Sequence, residues 1–392
     1  MWLDFRAMHR SPVKTLALGM AVLGLLGAAL WTLRQQPASD AARPAEERGN
    51  SEPLATGGTN PAASFKPTPV PSPDSLLPLL ESVLTGNSAE ARRRHLGEVR
   101  RWLRDAPTAV RRAQLAAFLA AHRDADLGGQ FKVGSDGSLT ASPTLRVWLL
   151  NEFSGMDRAE AAALAREVLS RPDSADEWAV ALRCLALGDT SAAAHALLKE
   201  KTLALLQREA WQEQASSGFL QAFDVAVYLR DAEFAPVLSG LLRQTNQVAV
   251  AHAAFLALDR LVLAAPVESL RELQANPDWL AGREGTRAGI FARADVTDAS
   301  QRTILETYLL DSRRSPGELS AFAATFPNAS LFLSPNLLTR QATFDGATLL
   351  RRDIATLQVV RGWLGEPRFA PVREALRLIE SRLAEYVSQA GR

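Results

Sequence analysis

The chain has 392 residues, with 44 basic and 43 acidic side chains and a net charge of +1. This balance excludes a dedicated nucleic-acid binder, because such a protein carries a basic surface that displaces counterions from phosphates. The single cysteine excludes an intrachain disulfide, a Cys-x-x-Cys redox motif and a thiolate zinc cluster.

The first predicted element is a membrane-spanning helix over residues 15–33, a run without an ionisable side chain. At about 1.5 Å per residue, this run approaches the roughly 30 Å of a bilayer core. A cleaved signal peptide is the alternative, but its apolar region usually spans about 7–15 residues and ends at a small-residue cleavage site. Here the small residues 27–29 lie inside the run. We therefore expect a retained anchor preceded by a short tail, residues 1–14.

The orientation of the anchor follows from the basic residues at its ends. Arg6, Arg10 and Lys14 precede the run, whereas Arg34 alone follows it closely. Because the more basic end of a span stays in the cytoplasm, the sequence predicts a single-pass protein of the inner (cytoplasmic) membrane. The body of the protein would then be periplasmic or otherwise extracytoplasmic. A body on the cytoplasmic side is an alternative that remains open.

Residues 34–73 are predicted to be a disordered linker. They contain eight prolines, many small polar residues and few apolar ones. Too little apolar surface is available to offset the entropy of ordering such a segment. The linker would hold the body away from the membrane as a flexible tether.

Residues 74–392 show the apolar period of amphipathic helices, with apolar residues three and four positions apart. Such short helices are marginal alone and need packing against neighbours. The fold class is therefore all-α, in one helical domain with a possible subdivision near 264–297. Residues 283–296 and 327–343 lack a clear pattern. The later helical segments are 191–208, 218–230, 233–243, 247–263, 267–274, 298–310, 316–326, 347–362 and 369–388.

Four residues are predicted to cap the N-termini of earlier helices. Asp157 is followed three positions later by a glutamate, and so is Ser174, which is the pattern of a capping box. Asp105 precedes a proline that would lie in the first turn of the next helix, and Ser142 precedes another. Each position combines a short polar side chain with the start of an apolar period.

Residues 128–143 interrupt the helical pattern and predict a small β-hairpin. Apolar and polar residues alternate on both sides of a turn-like stretch. Asp136 lies in that stretch, and no Asp-x-Asp spacing accompanies it, so we interpret it as a turn residue rather than a calcium ligand. Cys184 lies among apolar residues at helical spacing and is predicted to be buried.

Paired amphipathic helices over 174–207 and 218–263 resemble HEAT-type and armadillo-type helical repeats, at a spacing of about 40 residues. The resemblance covers most of residues 142–263. It implies an α-solenoid, in which each helix pair packs on the next pair along the chain. An irregular helical bundle has the same apolar period, so both architectures remain open.

The sequence contains no signature of catalysis. A Gly-x-Ser-x-Gly elbow, a phosphate-binding Gly-x-x-x-x-Gly-Lys loop and a His-Glu-x-x-His zinc motif are all missing. The five histidines are scattered through separate segments, which disfavours a metal site. We therefore expect a protein without cofactor or metal that is not an enzyme. The alternative is a cell-envelope hydrolase with an unrecognised carboxylate pair.

A dense cluster of arginines follows the linker and provides the predicted contact site. Its functional interpretation is electrostatic contact with an acidic partner or with anionic lipid headgroups, and its alternative interpretation is a solvated helix face. The leading functional prediction is a membrane-anchored extracytoplasmic scaffold or adaptor that acts through protein–protein contacts. The cluster comprises Arg92, Arg93, Arg94, Arg100, Arg101 and Arg104.

Overall fold

A computed structural model describes residues 75–332, 334–340 and 343–390. The predicted tail, anchor and linker lie outside these residues. The described part belongs to one compact unit, Val70–Arg392. None of its helices combines the length and the apolar character needed to cross a membrane. The all-α prediction is confirmed for this part, which contains seventeen α-helices and one two-stranded sheet.

The elements follow one another with mostly short connections. The first half contains α1 Leu77–Thr85, α2 Ala89–Asp105, α3 Thr108–Ala120, β1 Lys132–Val133, β2 Leu139–Ala141, α4 Leu145–Met156, α5 Arg158–Leu169, α6 Ala175–Gly188, α7 Ala192–Leu206, α8 Glu209–Glu213 and α9 Ser217–Leu229. The second half contains α10 Ala235–Leu242, α11 Val248–Ala264, α12 Pro266–Ala275, α13 Glu284–Phe291, α14 Ala299–Leu310, α15 Pro316–Thr325, α16 Gly346–Gly365 and α17 Arg373–Ala390. Short 3₁₀ turns occupy Ala232–Phe234, Pro277–Leu280 and Pro367–Val372.

All nine later segments predicted from the apolar period are helices, with ends that shift by a few residues. Helix α13 was not predicted. It contains Gly285 and Gly289, which are poor helix formers, so its period is weak in the sequence.

Two of the four predicted caps are confirmed. The Asp157 carboxylate accepts a hydrogen bond from the backbone N–H of Glu160 at 3.1 Å, and the Ser174 hydroxyl accepts one from the N–H of Glu177 at 3.4 Å. These bonds satisfy donors that the first turns of α5 and α6 would otherwise leave unpaired.

The other two caps are wrong. Asp105 ends α2 instead of starting α3, because the N–H of Ala106 still donates to Trp102 O at 2.9 Å. Helix α4 begins after Ser142, and its cap is Thr144, whose hydroxyl accepts from the N–H of Val147 at 3.4 Å. The residues before it are still bonded in the loop, since Leu127 donates to Pro143 O at 2.8 Å.

The predicted hairpin and the buried cysteine are confirmed. Strands β1 and β2 are antiparallel and pair Lys132 with Ala141. Asp136 is a turn residue whose carboxylate accepts from the N–H and hydroxyl of Ser138 at 3.0 and 2.6 Å. The Cys184 side chain is 1% exposed.

Helices α4, α6, α9 and α11 pack side by side in this order and form the helix row, the term used below for these four helices. Helix α5 packs against α4 and α6, and α7 packs against α6 and α9. Fully buried alanines such as Ala179 and Ala226 lie in the row, and small side chains allow helix axes to approach closely.

The second half of the chain is held by a buried polar cluster between α13, α14 and α15. The Arg287 guanidinium donates to both Glu318 oxygens at 2.7 and 2.6 Å, and the Tyr308 hydroxyl donates to Glu318 at 2.9 Å. Burial and the neighbouring Glu318 carboxylate raise the pKa of Tyr308 above its ordinary range. Because all three groups have partners, the cluster fixes the packing of these helices.

Asp189, which lies between α6 and α7, is expected to make the stability of the fold sensitive to acid. The backbone and hydroxyl of Ser191, together with Arg166, lower the pKa of Asp189 from 3.8 to about 2. A carboxylate whose folded-state pKa is depressed stabilises the fold above its ordinary pKa and loses that effect as the pH falls. In the Asp189→Asn variant, the free energy of unfolding should therefore fall less than in the wild type as the pH is lowered from 3.8 to about 2.

Denaturant titrations at several pH values, followed by far-UV circular dichroism, measure this effect. Asp105→Asn is the matched control, because Asp105 is exposed. Equal acid profiles for the wild type and Asp189→Asn would contradict the assignment.

Candidate functional site

All six arginines of the predicted cluster lie on α2, but two of them have partners within the protein. Arg92 donates to Gly86 O at 3.0 Å and to Asp126 O at 2.6 Å. Arg100 donates to both Glu152 oxygens at 2.6 and 2.7 Å. These two side chains therefore help to fix α2 against its surroundings.

The other four arginines are exposed, and they have no hydrogen-bond or ion-pair partner among the described residues. Helical geometry of about 100° per residue places them on one side of α2, away from its buried residues such as Leu103. This surface, the arginine face, is the part of the predicted site that stays available for a partner. It consists of Arg93, Arg94, Arg101 and Arg104.

A second candidate feature lies between α15 and α16, where the described residues 326–332, 334–340 and 343–345 form neither helix nor strand. Residues 327–332 and 334–340, here named the strap, contact several helices distant in sequence. Loops of this length inside a compact domain are usually functional or specifically held. The sequence shows no clear pattern over residues 327–343.

Asp224 of α9 holds one end of the strap. Its carboxylate, only 5% exposed, accepts hydrogen bonds from the backbone N–H groups of Leu338 and Thr339 at 2.7 and 2.9 Å, and from the Thr339 hydroxyl. A buried carboxylate is tolerated when several donors surround it.

Arg260 of α11 holds the middle of the strap. Its guanidinium donates to Asn336 Oδ1 at 2.8 Å, to Ser334 Oγ at 2.7 Å and to Phe332 O at 3.2 Å. All three acceptors are neutral oxygens. Burial lowers the pKa of Arg260, although the charges of Asp224 and Asp259 oppose this effect.

The other end of the strap is held by Arg293, in the turn after α13. This guanidinium pairs with both Asp259 oxygens at 2.8 and 2.7 Å and also donates to Asn328 O at 3.2 Å and to Ser330 O. Close to the end of the strap that Asp224 holds, Arg183 of α6 donates a hydrogen bond to Gly137 O in the hairpin turn.

The hairpin turn itself lies directly against the strap. Gly137 has φ 82°, and a Cβ atom there would lie 2.4 Å from Leu337 O. Only glycine fits both the backbone conformation and the close contact.

A cleft of about 730 Å³ lies between the strap and helices α7, α9 and α11. Its lining combines cationic side chains with apolar walls, and no carboxylate lines it in the described part of the chain. The basic residues of the lining are His195, Arg230, Arg260 and Arg340. The apolar walls include Val227, Leu263, Leu331, Leu338 and Phe344.

Sequence reasoning missed the buried charges that hold the strap. A signal exists, because Asp224 and Tyr228 are the only ionisable residues of α9. In the same way, Arg183, which binds the hairpin turn, interrupts a long apolar stretch of α6. Within the described residues, no group of three or more histidines, cysteines and carboxylates is arranged to hold a metal ion.

Comparison of the chain with family models, curated proteins and solved structures gave no match. The resemblance to HEAT-type and armadillo-type repeats therefore stays a prediction. Function is inferred below from the residues and their geometry.

Proposed function

We propose that this protein is a membrane-anchored, extracytoplasmic α-helical repeat scaffold or adaptor that acts through protein contacts. The predicted anchor, residues 15–33, and linker, residues 34–73, would carry the helical body outside the cytoplasm. The packing of alternate helices in the helix row, with intervening helices on its flank, supports a solenoid-like arrangement.

One observation favours binding over hydrolysis. The buried carboxylates face arginines or backbone amides, whereas a carboxylate-pair hydrolase needs two acids that face its substrate in a cleft. Each of these acids therefore has a structural partner: Glu177 binds Arg146, Asp224 binds the strap, Asp259 binds Arg293 and Glu318 binds Arg287.

The acids that line an open groove near α14 are also paired. Glu306 accepts from Trp363 Nε1 at 2.9 Å and from Arg368 at 3.0 Å. Asp311 binds Arg313, whose hydrogen bond lowers the pKa of Asp311. An acid whose pKa is lowered is a poor proton donor at neutral pH, so this groove offers weak support for the hydrolase alternative.

The arginine face is the proposed contact surface, and its partner is an acidic protein surface. Four unpaired guanidinium groups on one helix side complement carboxylates, to which arginine binds in a bidentate manner. The surface follows closely after the predicted linker, so a membrane-associated partner is within its reach.

Photo-crosslinking in intact membranes tests this proposal. A photoreactive residue replaces Gly97, which lies between Arg93 and Arg101 on the arginine face and has no atom within 4 Å of the position that a Cβ atom would occupy. The expected result is a discrete protein adduct that disappears when the four arginines are changed to glutamate. A probe at the exposed Arg377 of α17 is the matched control.

Three outcomes would contradict the proposal. The first is an adduct that is unchanged by the charge reversal, and the second is an adduct formed equally at position 377. The third is the formation of lipid adducts alone, which would identify anionic headgroups instead of a protein as the target of this surface.

A further inference from the structure

The cleft beside the strap contains a buried arginine that makes no direct ion pair within the described residues. Arg260 is 9% exposed, and its two terminal nitrogens bind neutral oxygens. Its Nε atom is buried and has no hydrogen-bond partner in the described residues. The charges of Asp224 and Asp259 act on Arg260, but neither carboxylate binds it directly, since Asp224 is hydrogen-bonded to the strap and Asp259 is paired with Arg293.

Such an arrangement is unfavourable for a buried cation. A buried guanidinium without an ionic partner has lost its hydration, and neutral acceptors compensate for that loss only in part. An anion in the cleft would supply a direct ionic partner.

Two further arginines at the cleft strengthen the positive field. Arg230 follows the last residue of α9, and Arg340 ends the strap. Both side chains belong to exposed residues, and neither has a hydrogen-bond or ion-pair partner among the residues that the structure describes. Their guanidinium groups are free to bind an anionic group that reaches Arg260.

The rest of the cleft suits an apolar body. Leu263, Leu331 and Leu338 line it, and Phe344, which is 41% exposed, contributes an aromatic ring. The volume of about 730 Å³ is in the range of pockets that hold small organic ligands.

We propose that this cleft binds a small organic anion with an aliphatic tail, whose carboxylate or phosphate-monoester head contacts Arg260, Arg230 and Arg340. The tail packs against the leucines and Phe344. This site is separate from the arginine face, so the inference does not depend on the scaffold proposal.

Calorimetric titration of the full-length chain in nanodiscs of zwitterionic phosphatidylcholine tests the proposal. Octanoate is the first probe, and empty nanodiscs correct for its partition into lipid. Octanol and octylammonium keep the tail but change the head, and inorganic phosphate compared with octyl phosphate separates the head from the tail. At least one of the two anions, octanoate and octyl phosphate, should bind. Octanol, octylammonium and inorganic phosphate should bind at least about tenfold more weakly than the tighter of the two anions.

Variants assign the binding to this cleft. Arg230→Gln combined with Arg340→Gln should weaken octanoate or octyl phosphate binding by about 10- to 100-fold, because charge-assisted hydrogen bonds are lost. Leu263→Gln should weaken it by about tenfold through loss of apolar contact. Arg377→Gln is the matched control and should bind like the wild type.

The proposal is overturned if neither anion binds, if octanol binds as tightly as octanoate, or if the double arginine variant binds like the wild type. Far-UV circular dichroism verifies that each variant is folded. Because Arg230 and Arg340 are exposed and unpaired, their replacement should leave the fold intact.

Discussion

Replacement of Arg293 by methionine is expected to lower the free energy of unfolding by about 3–5 kcal/mol, because it leaves the Asp259 carboxylate buried without its partner. The two side chains are 2% and 5% exposed and form a bidentate pair. The same arginine also donates to Asn328 and Ser330 of the strap. Chemical denaturation measures the loss, and amide hydrogen exchange should show faster opening of residues 328–340.

Arg313→Met is the matched control for this prediction. Arg313 is 66% exposed and pairs with Asp311 at the surface, where solvent screening leaves such pairs little effect on stability. The double variant Asp259→Leu with Arg293→Met should recover part of the lost stability, since both buried charges are removed. Equal losses for Arg293→Met and Arg313→Met would show that the buried pair is not what holds the strap.

Gly188→Ala is expected to destabilise the protein by about 3 kcal/mol, although alanine usually favours helices. Gly188 is the last residue of α6, and a Cβ atom there would lie 1.9 Å from Arg158 O and 2.8 Å from the Ala162 Cβ. The first turn of α5 therefore packs on bare backbone at the end of α6. Thermal and denaturant unfolding measure the effect.

Gly362→Ala is expected to have the opposite effect on the stability of the protein. Gly362 lies inside α16, and no atom lies within 4 Å of its Cβ position. Alanine should stabilise that helix by about 0.5–1 kcal/mol. Changes of the same sign and size at both positions would contradict the packing of α5 on α6.

The helices could be predicted because their signals are local. An apolar period of three and four residues identifies each segment, and the Asp157 and Ser174 caps act within four residues. The burial of Cys184 follows from its apolar neighbours in the same helix. The wrong cap at Ser142 has a different cause, since the next residues, Pro143 and Thr144, pair with the loop before the hairpin.

The strap and the cleft could not be predicted from local pattern. The Asp224 carboxylate binds Leu338 across 114 positions of sequence, and Arg260 binds Asn336 across 76 positions. Charged side chains on amphipathic helices normally face solvent, so their burial becomes visible only when the partner segment is in place. An isolated charge inside an apolar helix, such as Arg183 or Asp224, is the sequence signal for this situation.

The most direct test of the central claim is the location of the body relative to the membrane. A reporter enzyme that is active only outside the cytoplasm is fused after Arg392, with residues 1–33 either kept or removed. Reporter activity in the membrane fraction of the intact fusion, and its loss on removal of residues 1–33, is the result we predict. Reporter activity that requires the cytoplasm, or a soluble body from which residues 1–33 have been cleaved, would contradict a retained anchor that holds the helices outside.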